Sequence, residues 1–234
     1  MKKFDLIILC GGLGKRIRSK SKNSPKILIE IKKNKPFIFY LLKSLKIKLF
    51  NNIILSIGYR RQKIINFIKN NKQLNLSYSV EKKPLGTGGA IKNTLKNKKI
   101  SNPFFVVNGD TFNQFSTKGL IKKNSTNKIK KSIILLKKNE KEKRYDQFQI
   151  SKKNKIEMIS KYKTGNYYIN SGFYMFYKKD IISKKKVFSL EQDLIPNLIT
   201  KGRLDFYTNK SKVFFDIGVP KSLYKFKSYI NKNL

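Results

Sequence analysis

A chain of 234 residues with a single cysteine, Cys10, and no histidine cannot close a disulfide within itself. It is equally ill supplied for Cys/His zinc sites and for a thiol–histidine nucleophile. Its 54 basic residues against 13 acidic ones give a formal charge of +41, which taken alone points to nucleic acid or an anionic membrane surface.

The lysines, however, run along the whole chain among Asn and Ile, and are not gathered into an arm or a stripe with interleaved aromatics. Nucleic-acid binding therefore ranks last, and the charge is read as a compositional bias that still attracts anionic substrates. The length suits one large α/β domain. The start, MKKFDLIILC, imitates a secretory signal, but its apolar core is short, is interrupted by Asp5 and runs into Gly-Gly-Leu-Gly-Lys-Arg. No apolar run approaches the roughly 18 residues of a spanning helix, so a cytoplasmic protein is expected.

Leu6 to Cys10 reads as a buried parallel strand, a continuous apolar run that ends at Gly11, Gly12 and Gly14. Glycines there let the backbone turn tightly and let a ligand reach the amides. Arg16, Arg18 and Lys26 follow, and cations beside bare N–H groups form a seat for phosphate oxygens. Two familiar loops are excluded. The ATPase loop requires a glycine where Leu9 stands and a Ser or Thr where Arg16 stands, and the dinucleotide fingerprint requires a glycine at Ile17. A plain strand-to-helix turn is the alternative. The chain holds only six arginines, and two of them fall within four positions of this loop.

Pro36 opens a helical stretch through residue 50, Asn52 to Ile57 is a second strand, and residues 60–70 carry isoleucines at helical spacing. Leu74 to Val80 alternates as a strand, so strand and helix alternate in the order of a parallel sheet covered on both faces. Glu81 to Lys92 holds Pro84, Gly86, Thr87, Gly88 and Gly89 in a predicted loop, with a helix starting at Ala90. Its glycines and threonine are expected to contact a ligand at the same sheet edge as the first loop.

Pro103 to Asp110 is an apolar strand that ends in a carboxylate, and Val213 to Gly218 repeats the pattern with Asp216 before Pro220 opens a last helix. Asp110 alone could equally cap a turn. Two strand-end aspartates in so acid-poor a chain favour a shared hard-metal site, as for Mg²⁺ on phosphates. Ser132 to Lys138 is a strand, and residues 139–166 are polar and antiparallel or loop. Tyr167 to Tyr177 is a long aromatic strand with Asn170, Ser171 and Gly172 set into it. Residues 189–200 start as a capped helix that Pro196 breaks or kinks.

LCGGLGKRIR…PK, EKKPLGTGGA, NGD, INSGFYMF, SLEQDL and FFDIGVP, in this order, resemble the sugar-1-phosphate nucleotidyltransferase family over nearly the whole chain. The resemblance implies a Rossmann-like three-layer α/β fold, a mostly parallel mixed sheet with helices on both faces. It implies one domain over 1–234, with a nucleotide-binding part of about 1–130 and a sugar-binding part of about 131–234. Leu9, Gly11, Gly12, Glu81, Pro84, Gly86 and Gly88 would surround the nucleotide base and ribose, with Gly14 and Thr87 in the same loops. Arg16 and Lys26 would be catalytic, holding the reacting phosphates. Asp110 and Asp216 would bind Mg²⁺, and Lys161, Asn170, Gly172 and Glu191 would face the sugar.

Within the family, YSVEKKPLGTGGAIK followed by NGDTF is most similar to members that join a heptose 1-phosphate to GTP, releasing pyrophosphate and forming GDP-heptose for cell-surface polysaccharide. A hexose or amino-sugar 1-phosphate with UTP, CTP or dTTP is the alternative. Lys15, Asp146 and Ser160 depart from the family pattern, the last two toward the sugar pocket. The chain stops soon after the Asp216 helix, as short members do; a homodimer is compatible with all of this.

Overall fold

In the computed structural model the described residues are 4–17, 24–139, 145–159, 167–211 and 213–233. The amino-terminal half runs β1 (Phe4–Leu9), a two-stranded ribbon of β2 (Glu30–Lys32) and β3 (Lys35–Pro36), α1 (Phe37–Ser44), β4 (Phe50–Ile57), α2 (Arg61–Asn70), β5 (Leu76–Val80) and α3 (Gly86–Asn97). Then follow β6 (Phe104–Asn108), β7 (Thr111–Asn113), α4 (Thr117–Thr126), β8 (Ser132–Asn139), β9 (Gln147–Ile150), β10 (Ile156–Ile159) and β11 (Tyr167–Phe176). A π-helical turn over Leu190–Leu194 leads into α5 (Ile195–Thr200), and β12 (Leu204–Asn209), β13 (Phe214–Asp216) and α6 (Pro220–Asn233) complete the chain.

The main sheet has β5, β4, β1 and β6 side by side and parallel. Antiparallel β11 follows against β6, then β8 and β12, which are parallel to one another. The β9–β10 hairpin joins the first half of β11 through Tyr168↔Phe148. The sheet is thus mixed and mostly parallel, as expected.

The strands read as unbroken apolar runs because both faces are covered. In β1, Leu6 and Ile8 pack with α1 and α6 through Phe37, Leu41 and Phe226, whereas Ile7 points the other way, into a second core with Ile91 of α3 and Leu198 of α5. Each such side chain, fully buried, contributes about 1.5–3 kcal/mol. Asp5 belongs to the strand and does not end it. Its buried carboxylate accepts from Asn52 N (3.1 Å), Asn52 Nδ2 (2.8 Å) and Ser101 N (2.6 Å), so the charge is fully hydrogen-bonded.

Several boundaries differ from the sequence reading. The first helix ends at Ser44, because Lys46 turns left-handed (φ 51°) and the chain must reverse into β4. Strand β5 starts at Leu76, after a left-handed Asn75. Helix α3 begins at Gly86 and not at Ala90. The Phe188 carbonyl accepts from Gly88 N (3.1 Å) and Gly89 N (3.2 Å), satisfying first-turn donors that would otherwise disfavour a glycine-rich start. Helix α4 and strand β12 were not anticipated at all.

Candidate active site

Strands β1, β4, β5 and β6 are parallel, so their carboxyl ends, at Leu9, Ile57, Val80 and Asn108, share one edge of the sheet. The loops leaving these four strands build the site. Cys10 N donates to Ser56 O (2.8 Å), Tyr59 N to Gly11 O (3.3 Å) and Gly109 N to Leu9 O (3.0 Å), which binds the first glycine loop to its neighbours on both sides. A Cβ on Gly11 would fall on the Glu81 carboxylate. Over Gly12, by contrast, there is open space. Gly14 takes φ +61°, a conformation natural to glycine, and its carbonyl accepts from Ile17 N at 3.1 Å.

These loops wall a cleft of about 380 Å³ lined by Leu9, Gly11, Gly12, Glu81, Pro84, Gly86 and Thr87, together with Tyr59 and Arg61. The first seven were expected, and the last two were not. Their signal was present, because Arg60 and Arg61 are two of the six arginines and follow β4 as Arg16 follows β1. Gly14 lines a narrower recess beside Pro25 and Lys26. Gly88 departs from its expected role. It is buried, its N–H is given to the Phe188 carbonyl, and a Cβ would strike the Phe188 ring, so it serves packing.

Glu81 lines the cleft, 8 % exposed, with Oε2 accepting from Leu85 N at 3.2 Å. Desolvation raises its pKa, and the Leu85 bond opposes part of that rise. Burial pushes the Cys10 thiol well up, with Asp110 and Glu81 adding to the shift, so the thiol keeps its proton. Its Sγ donates to Ile8 O at 3.4 Å.

The two strand-end aspartates come together. Strand β13 pairs antiparallel with β7, setting Asp216 opposite Thr111, and Ile217 N donates to Asp110 O at 2.9 Å. Lys26 Nζ, on the short turn after Pro25, reaches Asp110 Oδ2 at 2.6 Å. Asp216 Oδ1, Lys26 Nζ and Asp110 Oδ2 lie 2.8, 3.2 and 3.4 Å from the point where a Cβ on Gly218 would stand. Only glycine leaves that space open. Tyr145 OH lies 3.5 Å from Asp216 Oδ2, a neighbour the sequence did not single out. Arg16 stands exposed on the turn Lys15–Ile17, anchored by the buried Ile17.

On the far side of β6, strand β11 bulges between Asn170 and Tyr174, with Gly172 at φ +71°. A Cβ there would press on the Asn108 side chain at 3.1 Å. Asn170 Nδ2 donates to Tyr174 OH (2.6 Å), and its Oδ1 accepts from Gly172 N (2.9 Å). Glu191 enters from the π-helical turn, Oε2 accepting from Thr87 Oγ1 (2.7 Å) and Ser189 Oγ (3.0 Å). Asp146 is exposed, yet partial desolvation raises its pKa and nearby Glu191 raises it further, so the departure at 146 lies within electrostatic reach of Glu191. Lys161, Arg18 and Ser160 lie outside the described residues.

A parallel sheet whose carboxyl edge carries a glycine-walled cleft beside two converging carboxylates and a lysine defines a nucleotide-handling α/β enzyme. The chain belongs to the nucleotidyl transferase family, whose model matches residues 6–233. It is a nucleotidyltransferase. It is 35% identical over 229 residues to D-glycero-alpha-D-manno-heptose 1-phosphate guanylyltransferase of Campylobacter jejuni, covering 94% of this chain and 97% of the relative. An enzyme of the same name from Aneurinibacillus thermoaerophilus is 33% identical, covering 93% of this chain and 94% of the relative. Among solved structures, HddC from Yersinia pseudotuberculosis superposes with a TM-score of 0.83 at 32% identity, covering 97% of this chain and 99% of that one. A second structure of that protein is complexed with GMP-PN. Among the described residues no helix is long and apolar enough to cross a membrane.

Proposed function

We propose that the protein joins a sugar 1-phosphate to GTP, releasing pyrophosphate, and that the sugar is D-glycero-α-D-manno-heptose. The convergence of Asp110, Asp216 and Lys26 at Gly218, on the same edge as the glycine-walled cleft, is the observation that carries this reading. The relatives' names supply the heptose. The base is argued from Glu81. Guanine offers two adjacent donors, N1–H and the exocyclic amine, which match one carboxylate. Uracil and thymine offer a single N–H between two carbonyls, and cytosine sets an acceptor beside its amine.

No histidine is needed for the chemistry. A phosphate monoester has a second pKa near 6, so the attacking oxygen is already ionised at neutral pH and requires no general base. The protein has instead to bring two anions together and offset the charge that grows on the departing pyrophosphate. Lys26 and Arg16 supply fixed cations for that, and the N–H groups of the first loop supply oriented dipoles. Asp110 and Asp216 form an all-oxygen pair suited to a hard divalent cation, and they would hold Mg²⁺. Held there, a divalent ion would supply positive charge to the phosphate oxygens. The part up to about residue 130 would serve the nucleotide and the remainder the sugar, with the product made in the cytoplasm for polysaccharide assembly.

Pyrophosphate release measured with GTP, UTP, CTP and dTTP against a panel of heptose, mannose and glucose 1-phosphates tests the assignment. GTP with the heptose phosphate should give the highest kcat/KM, and a better turnover with another base would overturn it. Replacing Glu81 with Gln removes one of the two acceptors and should lower kcat/KM for GTP by about 10- to 100-fold, the effect of a lost bond to a charged group. The same carboxylate must be ionised to accept both guanine protons, so GTP affinity should fall as pH drops through its raised pKa. Titration calorimetry across pH on Glu81→Gln should show that component of the pH dependence gone.

A further inference from the structure

We infer that Thr87 is a positioning residue for the sugar site: it aims the Glu191 carboxylate, so that the helix turn walling the nucleotide cleft also sets the acceptor pocket. The inference rests on the reading above only in naming the ligand of Glu191 as a sugar. The donor of the Thr87 hydroxyl is committed. Its one proton goes to Glu191 Oε2 (2.7 Å), while its oxygen accepts from Leu190 N (2.8 Å). A hydroxyl has a single donor, so none remains for a nucleotide oxygen, although Thr87 lines the cleft.

The strand of chain that carries Glu191 is clamped to the start of α3 along its length. Phe188 N donates to Leu85 O (3.0 Å), and the Phe188 carbonyl takes both Gly88 N and Gly89 N. Gly86 and Gly88 are glycines because this clamp is so close: a Cβ on either would meet the Phe188 backbone or ring. Ser189 Oγ accepts from Glu191 N and Gln192 N, both at 3.1 Å, and gives its own proton to Glu191 Oε2. Two hydroxyl donors thus converge on Oε2, which turns Oε1 into the oxygen left to accept from a ligand hydroxyl. The π-helical turn widens the backbone at this point, as such turns often do where a side chain must be re-aimed at a functional site.

The test uses the full chain as wild type, Thr87→Val and Thr87→Ser, each also with Glu191→Ala. Thr87→Val keeps the shape but loses both hydroxyl bonds, and should raise KM for the sugar 1-phosphate about 10-fold, by more than it changes KM for GTP. Thr87→Ser should restore wild-type behaviour, and in the Glu191→Ala background Thr87→Val should add nothing. A rise confined to KM for GTP, or a sugar effect that persists without Glu191, would overturn the inference. Crystal structures of Thr87→Val and Thr87→Ser separate this from the reading it rests on. Displacement of the Glu191 carboxylate in the first but not the second supports positioning whatever the substrate, and an unmoved carboxylate defeats it. A wild-type enzyme that releases pyrophosphate with no sugar phosphate defeats the functional reading instead.

Discussion

Asp110→Asn should leave the protein folded and its turnover reduced about 100- to 1000-fold, the usual effect of removing one preorganised electrostatic group from a transition state. The substitution keeps the shape of the side chain and removes its charge. Its ion pair with Lys26 is not what holds the fold together. Both side chains are partly open to solvent, at 19% and 25% exposure, and pairs of that kind contribute about 0–1 kcal/mol. The melting temperature should therefore scarcely move while pyrophosphate release collapses and the Mg²⁺ concentration needed for half-activity climbs. Arg16→Ala, at an exposed position, should likewise lose turnover without loss of fold. Near-normal turnover in Asp110→Asn, with an unchanged Mg²⁺ requirement, would reduce Asp110 to a partner of Lys26.

The legibility of this site in the sequence follows from what is scarce. With 13 acidic residues in the chain, an aspartate at the end of an apolar strand stood out. The antiparallel pairing of β13 with β7 then brought Asp110 and Asp216 to one place. The strands were legible for a related reason: burial on both faces demands uninterrupted apolar runs, and Leu6, Ile7 and Ile8 supply one to two cores at once.

Lysine was the opposite case. Lys26 carried no information beyond its place after Pro25, because lysine is everywhere; its 2.6 Å contact with Asp110 is what distinguishes it. The work of Thr87 was hidden because its partners lie about a hundred positions away, at Leu190 and Glu191. No local pattern encodes such a contact, and a threonine between glycines reads as a ligand-contacting loop. Strand β12 was missed because a short polar-interrupted stretch gains its conformation from parallel pairing with β8. Helix α4 did carry a local signal, Ser116 accepting from Gly119 N at 3.0 Å as an N-cap.

A loss of stability without loss of chemistry is expected far from the site, at Asp180. Its carboxylate, 3% exposed, takes Arg203 Nη2 (2.8 Å) and Nε (2.9 Å) in a fork, and Ser132 Oγ at 2.7 Å. Ser132 Oγ in turn accepts from Tyr177 N at 3.2 Å. This one group therefore joins the start of β8, the end of β11 and the approach to β12. Strand β8 runs antiparallel to β11, and β11 antiparallel to β6. The start of β8 therefore lies at the edge of the sheet opposite the cleft. Asp180→Ala strands the Arg203 guanidinium beside an emptied pocket and leaves the Ser132 hydroxyl without its acceptor. Arg203, 27% exposed, can turn to water, so the cost is that of orphaning the buried Ser132 hydroxyl, about 1–3 kcal/mol, which for a chain of this size corresponds to roughly 2–12 °C in melting temperature. Urea unfolding should register that loss, while the KM values of the fraction that remains folded stay at wild-type levels, since no atom of the cleft has moved. A variant that melts normally would show the fork to be weak, and one that melts normally yet loses GTP binding would tie this edge of the sheet to the site at the other.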